Sequence, residues 1–341
     1  MRGTFTGPSG TRIDIGTIVL MSTMLTTNDT TTSGATQVAP SPLPHSVIES
    51  GSSRDLFFQT AYERMAIYHR RFVLKQPAPW TTDETFRVFS FTNVHRELDR
   101  GTIEYIQNLL APLTASGASD GDVLAATITY RWFNRVETFR QSLAAPMLSG
   151  RFDAIEIEDN VRSQVGPPFT AAHMVCAYDG KPGRDKLERV CIMLAEIYEQ
   201  RDTIAAKLKT ARRPDDAFQT LTALEGIGPF NGYEIYSDLL YADDRFFSWN
   251  EDAWANVGPG AHRGLKLIFP NESPCMHLDS LRKLRNDQEA TFDRLGLDFY
   301  AISPNGKRMT MRSCEHWACE FQKFVRGNTK RRFVPQTIVA D

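Results

Sequence analysis

The stretch from Leu224 to Tyr233 reads LEGIGPFNGY and carries the clearest local signal in this chain of 341 residues. Helical patterns flank it on both sides, over Asp216–Leu224 and Phe230–Leu240. The sequence therefore predicts two helices joined by a short turn, a helix-hairpin-helix, at about residues 216–240.

The turn has glycine and proline where such a hairpin needs them. Gly226 and Gly228 allow the chain to bend sharply, because glycine has no Cβ atom to clash. Pro229 suits the first turn of the second helix. The amides at the start of that helix, around Phe230 and Asn231, can hold a phosphate of DNA. The pattern resembles the hairpin of helix-hairpin-helix DNA-binding proteins, and an ordinary glycine-rich turn is the competing interpretation.

An acidic residue follows the hairpin after one further segment. In helix-hairpin-helix DNA glycosylases one helix also separates the hairpin from an acidic residue at the base pocket. Asp252 is the natural match here, and Asp244 and Glu251 are its competitors. Lyase-active members of that class carry a lysine just inside the second hairpin helix, but no lysine lies between Gly228 and Asp252. The four-cysteine iron–sulfur loop is also missing, so an ordinary glycosylase/lyase is disfavoured.

Two upstream segments, residues 89–102 and 130–139, are rich in polar groups that a plain core would exclude. In the second, polar residues recur at a helical spacing that predicts one common face, with the members Arg131, Asn134, Arg135 and Thr138. Arginine suits phosphate groups, and aromatic residues such as Trp132 and Phe133 suit a base taken out of the stack. Composition leaves a second interpretation equally open, in which Arg–Asp bridges tie two helices and the aromatic residues lie in the core.

The last helical pattern, Cys314–Phe324, holds Glu320 and Lys323 three residues apart. A solvated salt bridge beside core aromatic residues is the favoured interpretation of that pair. A basic tail follows it and is predicted to touch a DNA backbone; we place it at residues 331–341.

The composition of the chain limits the classes of protein to which it can belong. Hydrophobic residues make up 41% of the chain and charged residues 23%, which predicts that most of it folds. The net charge of -2 excludes a protein that coats nucleic acid by charge alone, so any DNA contact must be local. No apolar stretch is long enough for a membrane span, and no secretion signal is evident. The five irregularly spaced cysteines predict a reducing compartment, and no metal-ligand set is evident.

The predicted organisation has three parts. Residues 1–53 are rich in Ser, Thr and Pro and are predicted to be disordered. Residues 54–330 read as one mainly α domain, with helices at Asp55–Arg71, Gly101–Leu110, Val123–Thr138 and Lys186–Leu208. Strand patterns are rare, and Phe152–Ile157 is the best of them.

Taken together, five ordered segments resemble the α-glutamyl/putrescinyl-thymine pyrophosphorylase family, which also includes the helical domain found beside phage 5-hydroxymethyluracil DNA kinases. They read FTNVHRELDR, YRWFNR, the GIG hairpin, VGPGA with RGL, and CEFxK, and they span roughly residues 55–326. The resemblance implies a helix-hairpin-helix DNA glycosylase-like, two-lobed helical fold.

The resemblance also implies an activity on double-stranded DNA that carries a modified pyrimidine. A separate DNA base kinase first activates a 5-hydroxymethyl group as a phosphate or pyrophosphate ester. A member of this family then replaces the pyrophosphate with an amine or an amino acid. The kinase motif GxxxxGK[ST] is absent from the sequence, so this chain is not expected to activate its own substrate.

Each step of this chemistry has candidate residues. Trp132 and Phe133 would hold the base, and Asn93 and Asn134 would complete the binding set. Arg96 and Arg131 would clamp the leaving pyrophosphate, with Mg²⁺ as a reasonable companion ion. Asp252 is the first choice to accept the proton of the amine and Asp99 the second, and Glu320 with Lys323 would orient the site or bind the amine.

Two alternatives use the same residues differently. A DNA glycosylase would excise a modified base with Asp252, and a non-catalytic reader of modified DNA would need only the hairpin. The long N-terminus is typical of a eukaryotic protein, for which the implied substrate predicts a nuclear location; otherwise a cytoplasmic one is expected.

Overall fold

The computed structural model describes residues 51–150, 153–171 and 183–327, all of which lie in one unit that spans His45–Asp341. These residues form α-helices and short π and 3-10 segments, and no strand element occurs among them. The prediction of a mainly α protein is confirmed, whereas the glycosylase-like, two-lobed arrangement stays a prediction. The predicted segment 1–53 lies outside the described residues except for 51–53, and the basic tail lies outside them entirely.

Sixteen α-helices are found in the described part of the chain. They are α1 Ser53–Tyr68, α2 Glu84–Val88, α3 Arg100–Tyr105, α4 Ala111–Ala115, α5 Asp120–Phe133, α6 Val136–Thr138, α7 Ala144–Leu148, α8 Ala154–Ser163, α9 Lys186–Glu199, α10 Arg201–Lys209, α11 Pro214–Thr222, α12 Pro229–Leu239, α13 Pro259–Ile268, α14 His277–Arg294, α15 Phe299–Ile302 and α16 Met311–Arg326. None of them is long and apolar enough to span a membrane.

Three local predictions are wrong in their details. The helix predicted over Val123–Thr138 ends at Phe133, because Asn134 adopts a left-handed conformation with φ 44°. The pattern over Lys186–Leu208 is two helices that meet at Gln200. The described part of the predicted strand Phe152–Ile157 begins helix α8, because the Asp153 carboxylate accepts hydrogen bonds from two amides of its first turn.

The hairpin helices α11 and α12 flank the LEGIGPFNGY stretch, and each end lies within two residues of the predicted one. Gly226 has φ +83°, a conformation that favours glycine. Gly232 lies where an added Cβ atom would come 2.6 Å from the Thr222 methyl group. Its missing side chain therefore lets the second helix pack closely on the first.

The C-terminal helix α16 is the central element around which the site is built. It crosses α13 so closely that a Cβ atom on Gly264 would overlap the backbone carbonyl of Ala318. Its aromatic face joins a core in which Phe57 contacts Phe321 edge to face at 5.6 Å, and the indole of Trp317 donates to the carbonyl of Phe57. These contacts fix the rotation of α16 and turn its polar face toward α12.

Candidate active site

Two buried arginines meet two carboxylates of α12, and we call these four residues the arginine–carboxylate quartet. Arg96, from a 3-10 turn, donates to Glu234 Oε2 at 2.9 Å and to Asp238 Oδ1 at 3.1 Å. Arg131, near the end of α5, approaches Asp238 Oδ2 with both Nε and Nη2 at 2.6 Å. Glu234 and Asp238 are four residues apart and therefore share one face of the helix.

The quartet balances its own charge. Burial opposes ionisation of Glu234, but the charges of Arg96 and Arg131 prevail and lower its pKa to about 2. Glu234 and Asp238 likewise raise the pKa of Arg96 well above its ordinary value, against the opposing effect of burial. The Asp238 carboxylate is fully buried, whereas the Glu234 side chain is 18% exposed. An anionic group can therefore approach these arginines from the side of Glu234. It would share the arginines with the two carboxylates.

Asp99 and His316 form a second pair, close to solvent. The backbone amide and the side-chain Nδ2 of Asn93 both donate to Asp99 Oδ1 at 2.9 Å, which orients the carboxylate. The other oxygen, Oδ2, lies 3.7 Å from His316 Nε2. Burial favours neutral His316, but the negative charges of Asp99 and Glu320 outweigh it and raise the pKa of the imidazole. A histidine and a carboxylate in this arrangement can accept and return a proton.

Glu315 adjoins this pair on α16 and has a different character. Its Oε1 accepts a hydrogen bond from the Gly258 amide at 3.2 Å. Burial raises its pKa to about 7, despite the opposing influence of His316 and of the Gly258 hydrogen bond. Glu315 is therefore a carboxyl group that is neutral in a substantial fraction of molecules near pH 7.

Glu320 and Lys323 form an ion pair, as the sequence suggested, although the Glu320 side chain is mostly buried. Glu320 Oε2 also accepts from the Thr92 amide at 3.4 Å, and Arg64 Nε donates to the Thr92 carbonyl at 3.1 Å. These contacts hold the backbone immediately before Asn93. The pair therefore supports the loop that carries Asn93 and Asp99.

Asp252, the first choice for the proton acceptor, lies in a different setting. It receives Arg285 Nε at 3.0 Å and the Met311 amide at 3.0 Å, and thus stabilises the first turn of α16. Its contacts within the described residues include neither the quartet nor the Asp99–His316 pair. Asp99, the second choice, is the candidate carboxylate that lies beside a histidine.

Glu251, a competitor of Asp252, belongs to a second charge-balanced cluster. It pairs with Lys307 and Arg312, and Glu97 pairs with the same two cations. Because Glu97 follows Arg96 in the same 3-10 turn, this cluster and the quartet anchor the same turn.

Trp132 and Phe133 do not present a face to a base. Both lie in the core, at 1% and 0% exposure, and Phe133 stacks on Phe169 with ring centroids 5.1 Å apart. Because the helix ends at Phe133, Arg131, Asn134, Arg135 and Thr138 do not form the single predicted face. Asn134 instead accepts from Arg131 Nη1 at 2.9 Å and so helps to position that guanidinium.

The hairpin predicted to bind DNA leaves space in front of its turn. A Cβ atom added to Gly228 would meet nothing within 4 Å, and Phe230 is 49% exposed. Asn231, by contrast, is buried at 6% exposure. Of the four residues predicted to contact DNA, Gly228 and Phe230 are therefore the ones best placed to meet a backbone.

Sequence reasoning did not select Glu234, Asp238, Glu315 and His316 as candidate site residues. The available signal was a pair of acids four apart within the aromatic helix segment YEIYSD, since acids in a buried helix require partners. No group of three or more His, Cys, Asp or Glu side chains able to hold a metal occurs among the described residues.

Comparison with known proteins places this chain in a family. The family model described as the helical domain of 5-hmdU DNA kinase matches residues 52–332. A 5-hmdU DNA kinase of Bacillus phage SP10 is 29% identical over 283 residues, which cover 79% of this chain and 44% of the phage protein. The chain thus spans less than half the length of that relative. No solved structure matches significantly.

Proposed function

The chain belongs to the family of the 5-hmdU DNA kinase helical domain, and we propose that it replaces the pyrophosphate of an activated 5-hydroxymethylpyrimidine in DNA with an amine or an amino acid. The relative is named a 5-hmdU DNA kinase, which points to DNA that carries 5-hydroxymethyluracil. Residues 1–341 lack the GxxxxGK[ST] motif, so activation of the base is assigned to a kinase domain outside these residues.

The reaction requires one proton acceptor. The amine nitrogen forms a bond to the methylene carbon, and the carbon–oxygen bond of the ester breaks. Pyrophosphate leaves with the electron pair, and the new ammonium group loses a proton to the protein. A neutral imidazole whose partner carboxylate stabilises the resulting cation suits this task.

The Asp99–His316 pair is the observation that carries the proposal. His316 accepts the proton, and Asp99, held by two hydrogen bonds from Asn93, stabilises the imidazolium. The pair is 20–23% exposed and therefore reachable by a substrate, unlike Asp238.

The leaving pyrophosphate is assigned to the exposed edge of the quartet. Arg96 and Arg131 are both directed toward Glu234, at 2.9 and 3.6 Å, and Glu234 is the most exposed member. Because the quartet is neutral as a whole, a trianionic group needs a further cation there. Mg²⁺ bound mainly by the pyrophosphate oxygens would supply that charge with only one or two protein carboxylates.

The proposal is tested with a duplex that carries 5-pyrophosphoryloxymethyluracil, incubated with the protein and a mixture of amines and amino acids. Mass spectrometry of the digested nucleosides should show an amine adduct. Asp99→Asn and His316→Gln are expected to lower the rate of adduct formation about 100-fold, the order of a general base. Asp252→Asn is the matched control, which should lower stability and leave the rate per folded molecule near that of the wild type.

The alternatives give different products in the same assay. Free base in solution would identify a glycosylase. Unchanged DNA that remains bound would identify a reader, and full activity of both the Asp99 and the His316 variants would overturn the assignment of the proton acceptor.

A further inference from the structure

Helix α12 and the residues just after it carry three buried hydroxyl groups without a partner. Tyr233, Ser237 and Tyr241 are 7%, 1% and 8% exposed, and none of their hydroxyls has a hydrogen-bond partner among the described residues. The spacing of four places them along one side of the helix, toward α16. An unsatisfied buried hydroxyl costs about 1–3 kcal/mol, so this polar seam between α12 and α16 requires something to satisfy it.

One end of the seam is already occupied by an arginine. Arg312 Nη1 donates to the Ser237 carbonyl at 3.2 Å, and the guanidinium lies 4.7 Å from the ring centroid of Tyr241. A cation at this position suits the electron-rich face of the tyrosine ring. This end of the seam therefore belongs to the structural cluster around Glu251.

The other end brings Tyr233 near Glu315. Burial raises the pKa of the Tyr233 phenol, and the charge of Glu315 is the next largest contribution. Gly258 donates to Oε1 of Glu315, and Oε2 has no hydrogen bond among the described residues. The Trp254 ring stands edge to face on Tyr233 at 5.9 Å, so the loop that carries Trp254 and Gly258 borders this end of the seam.

We propose that the Tyr233 hydroxyl and the Glu315 carboxyl group, in its neutral form, bind the hydrogen-bonding edge of the flipped pyrimidine. The proposal rests on the proposed function in one respect, namely that a base in DNA is the substrate. Glu315 and His316 interact electrostatically across the surface of α16, so a ring held at Glu315 lies near the Asp99–His316 pair.

The chemistry of a pyrimidine edge explains why the neutral form is needed. Ring N3 and its neighbouring exocyclic group offer one donor and one acceptor, which a carboxylic acid matches with its carbonyl and its O–H. A carboxylate offers acceptors alone and would repel the ring carbonyl. Tyr233 adds a third group that donates to the remaining carbonyl.

The surroundings of Glu315 favour the neutral acid. From α12, the charge of Glu234 disfavours a second negative charge at Glu315. Three groups favour the ionised carboxylate instead: Arg96 from the 3-10 turn, His316 from α16 itself and the Gly258 amide. Burial of Glu315 outweighs these three groups.

The test measures binding, so it does not depend on transfer activity. One duplex carries 5-hydroxymethyluracil, and a second carries at the same position a 2,4-difluorophenyl isostere that keeps the hydroxymethyl group but has no hydrogen-bonding edge. The wild-type protein should prefer the first duplex, and Tyr233→Phe and Glu315→Ala should each reduce that preference about tenfold, the order of one hydrogen bond. Tyr241→Phe is the control, because it removes a buried hydroxyl at the opposite end of the seam, beside Arg312. This variant should retain the preference for the first duplex.

The pH dependence adds a second readout. The wild-type preference should fall as the pH rises through 7, whereas Glu315→Gln, which keeps one donor and one acceptor, should retain a preference that is independent of pH. A duplex with 5-hydroxymethylcytosine at the same position compares binding of a cytosine-type base with binding of a uracil-type base.

Two outcomes would overturn the inference: a wild-type protein without preference, or Tyr233→Phe and Glu315→Ala variants that keep it. A preserved preference without any transfer product would instead refute the proposed transferase and leave the base site standing.

Discussion

The buried carboxylate of Asp238 offers the sharpest test of how the site is held together. It is fully buried and receives Arg131 Nε at 2.6 Å and Arg96 Nη2 at 3.1 Å. Asp238→Asn keeps the volume but removes the charge, and it turns an amide donor toward guanidinium donors. Removing one partner of a buried ion pair costs about 3–5 kcal/mol, because the remaining charge stays buried without compensation. We expect a loss of that size in the free energy of unfolding, measured by urea denaturation.

The control for this loss is Asp279→Asn, which breaks the ion pair with Arg282 on α14. Both side chains of that pair are 50% exposed, so the expected loss is below about 1 kcal/mol. The double variant Arg131→Gln/Asp238→Asn should lose less free energy of unfolding than the sum of its single variants, because both charges of the Arg131–Asp238 ion pair are then removed together. A loss below about 1 kcal/mol for Asp238→Asn would refute the claim that the quartet stabilises the fold.

Three further predictions follow from the packing and the charges. Gly264→Ala should destabilise the protein by about 1–3 kcal/mol in urea denaturation, because its Cβ atom would overlap the backbone of Ala318; unchanged stability would mean that α13 and α16 are not in close contact. Gly228→Ala should leave stability within about 0.5 kcal/mol but weaken DNA binding in fluorescence anisotropy, since its Cβ atom enters the open space in front of the hairpin. Equal DNA affinity for wild type and Gly228→Ala would contradict the hairpin interface. Gly226→Ala, by contrast, should lower the free energy of unfolding by about 1 kcal/mol, because Gly226 has a φ of +83°. The folded-state pKa of Glu315 is raised from 4.5 to about 7, so its contribution to stability is full below pH 4.5 and is lost as the pH rises through 7. That contribution is roughly 3 kcal/mol. In Glu315→Gln, the free energy of unfolding should no longer decline between pH 4.5 and 7.

The pH dependence of transfer gives a separate test of the Asp99–His316 pair. His316 must be neutral to accept a proton, and Asp99 holds its pKa above the ordinary 6.5. The rate of adduct formation should therefore rise with pH through that raised value. In Asp99→Asn the rise should move to lower pH, and a profile with unchanged position would argue against His316 as the acceptor.

Sequence alone was sufficient for features that depend on neighbouring residues. The hairpin follows from Gly226 with its positive φ and from Pro229 at a helix start, both of which are local backbone preferences. The mainly α character follows equally from helical periodicity. Where a single residue overrides the periodicity, as the left-handed Asn134 does, the helix boundary was missed.

The composition of the site depended on contacts that no local pattern encodes. Arg96 and Arg131 find Asp238 at separations of 142 and 107 residues, and only the packing of the helices brings them together. The same packing buries Trp132, which the sequence allowed equally as a base platform or as core. It also ties Asp252 to the start of α16 and leaves Asp99 beside a histidine. Backbone preferences act over a few residues and can be read from the sequence, whereas the partner and the burial of a charged side chain depend on which helices pack against it.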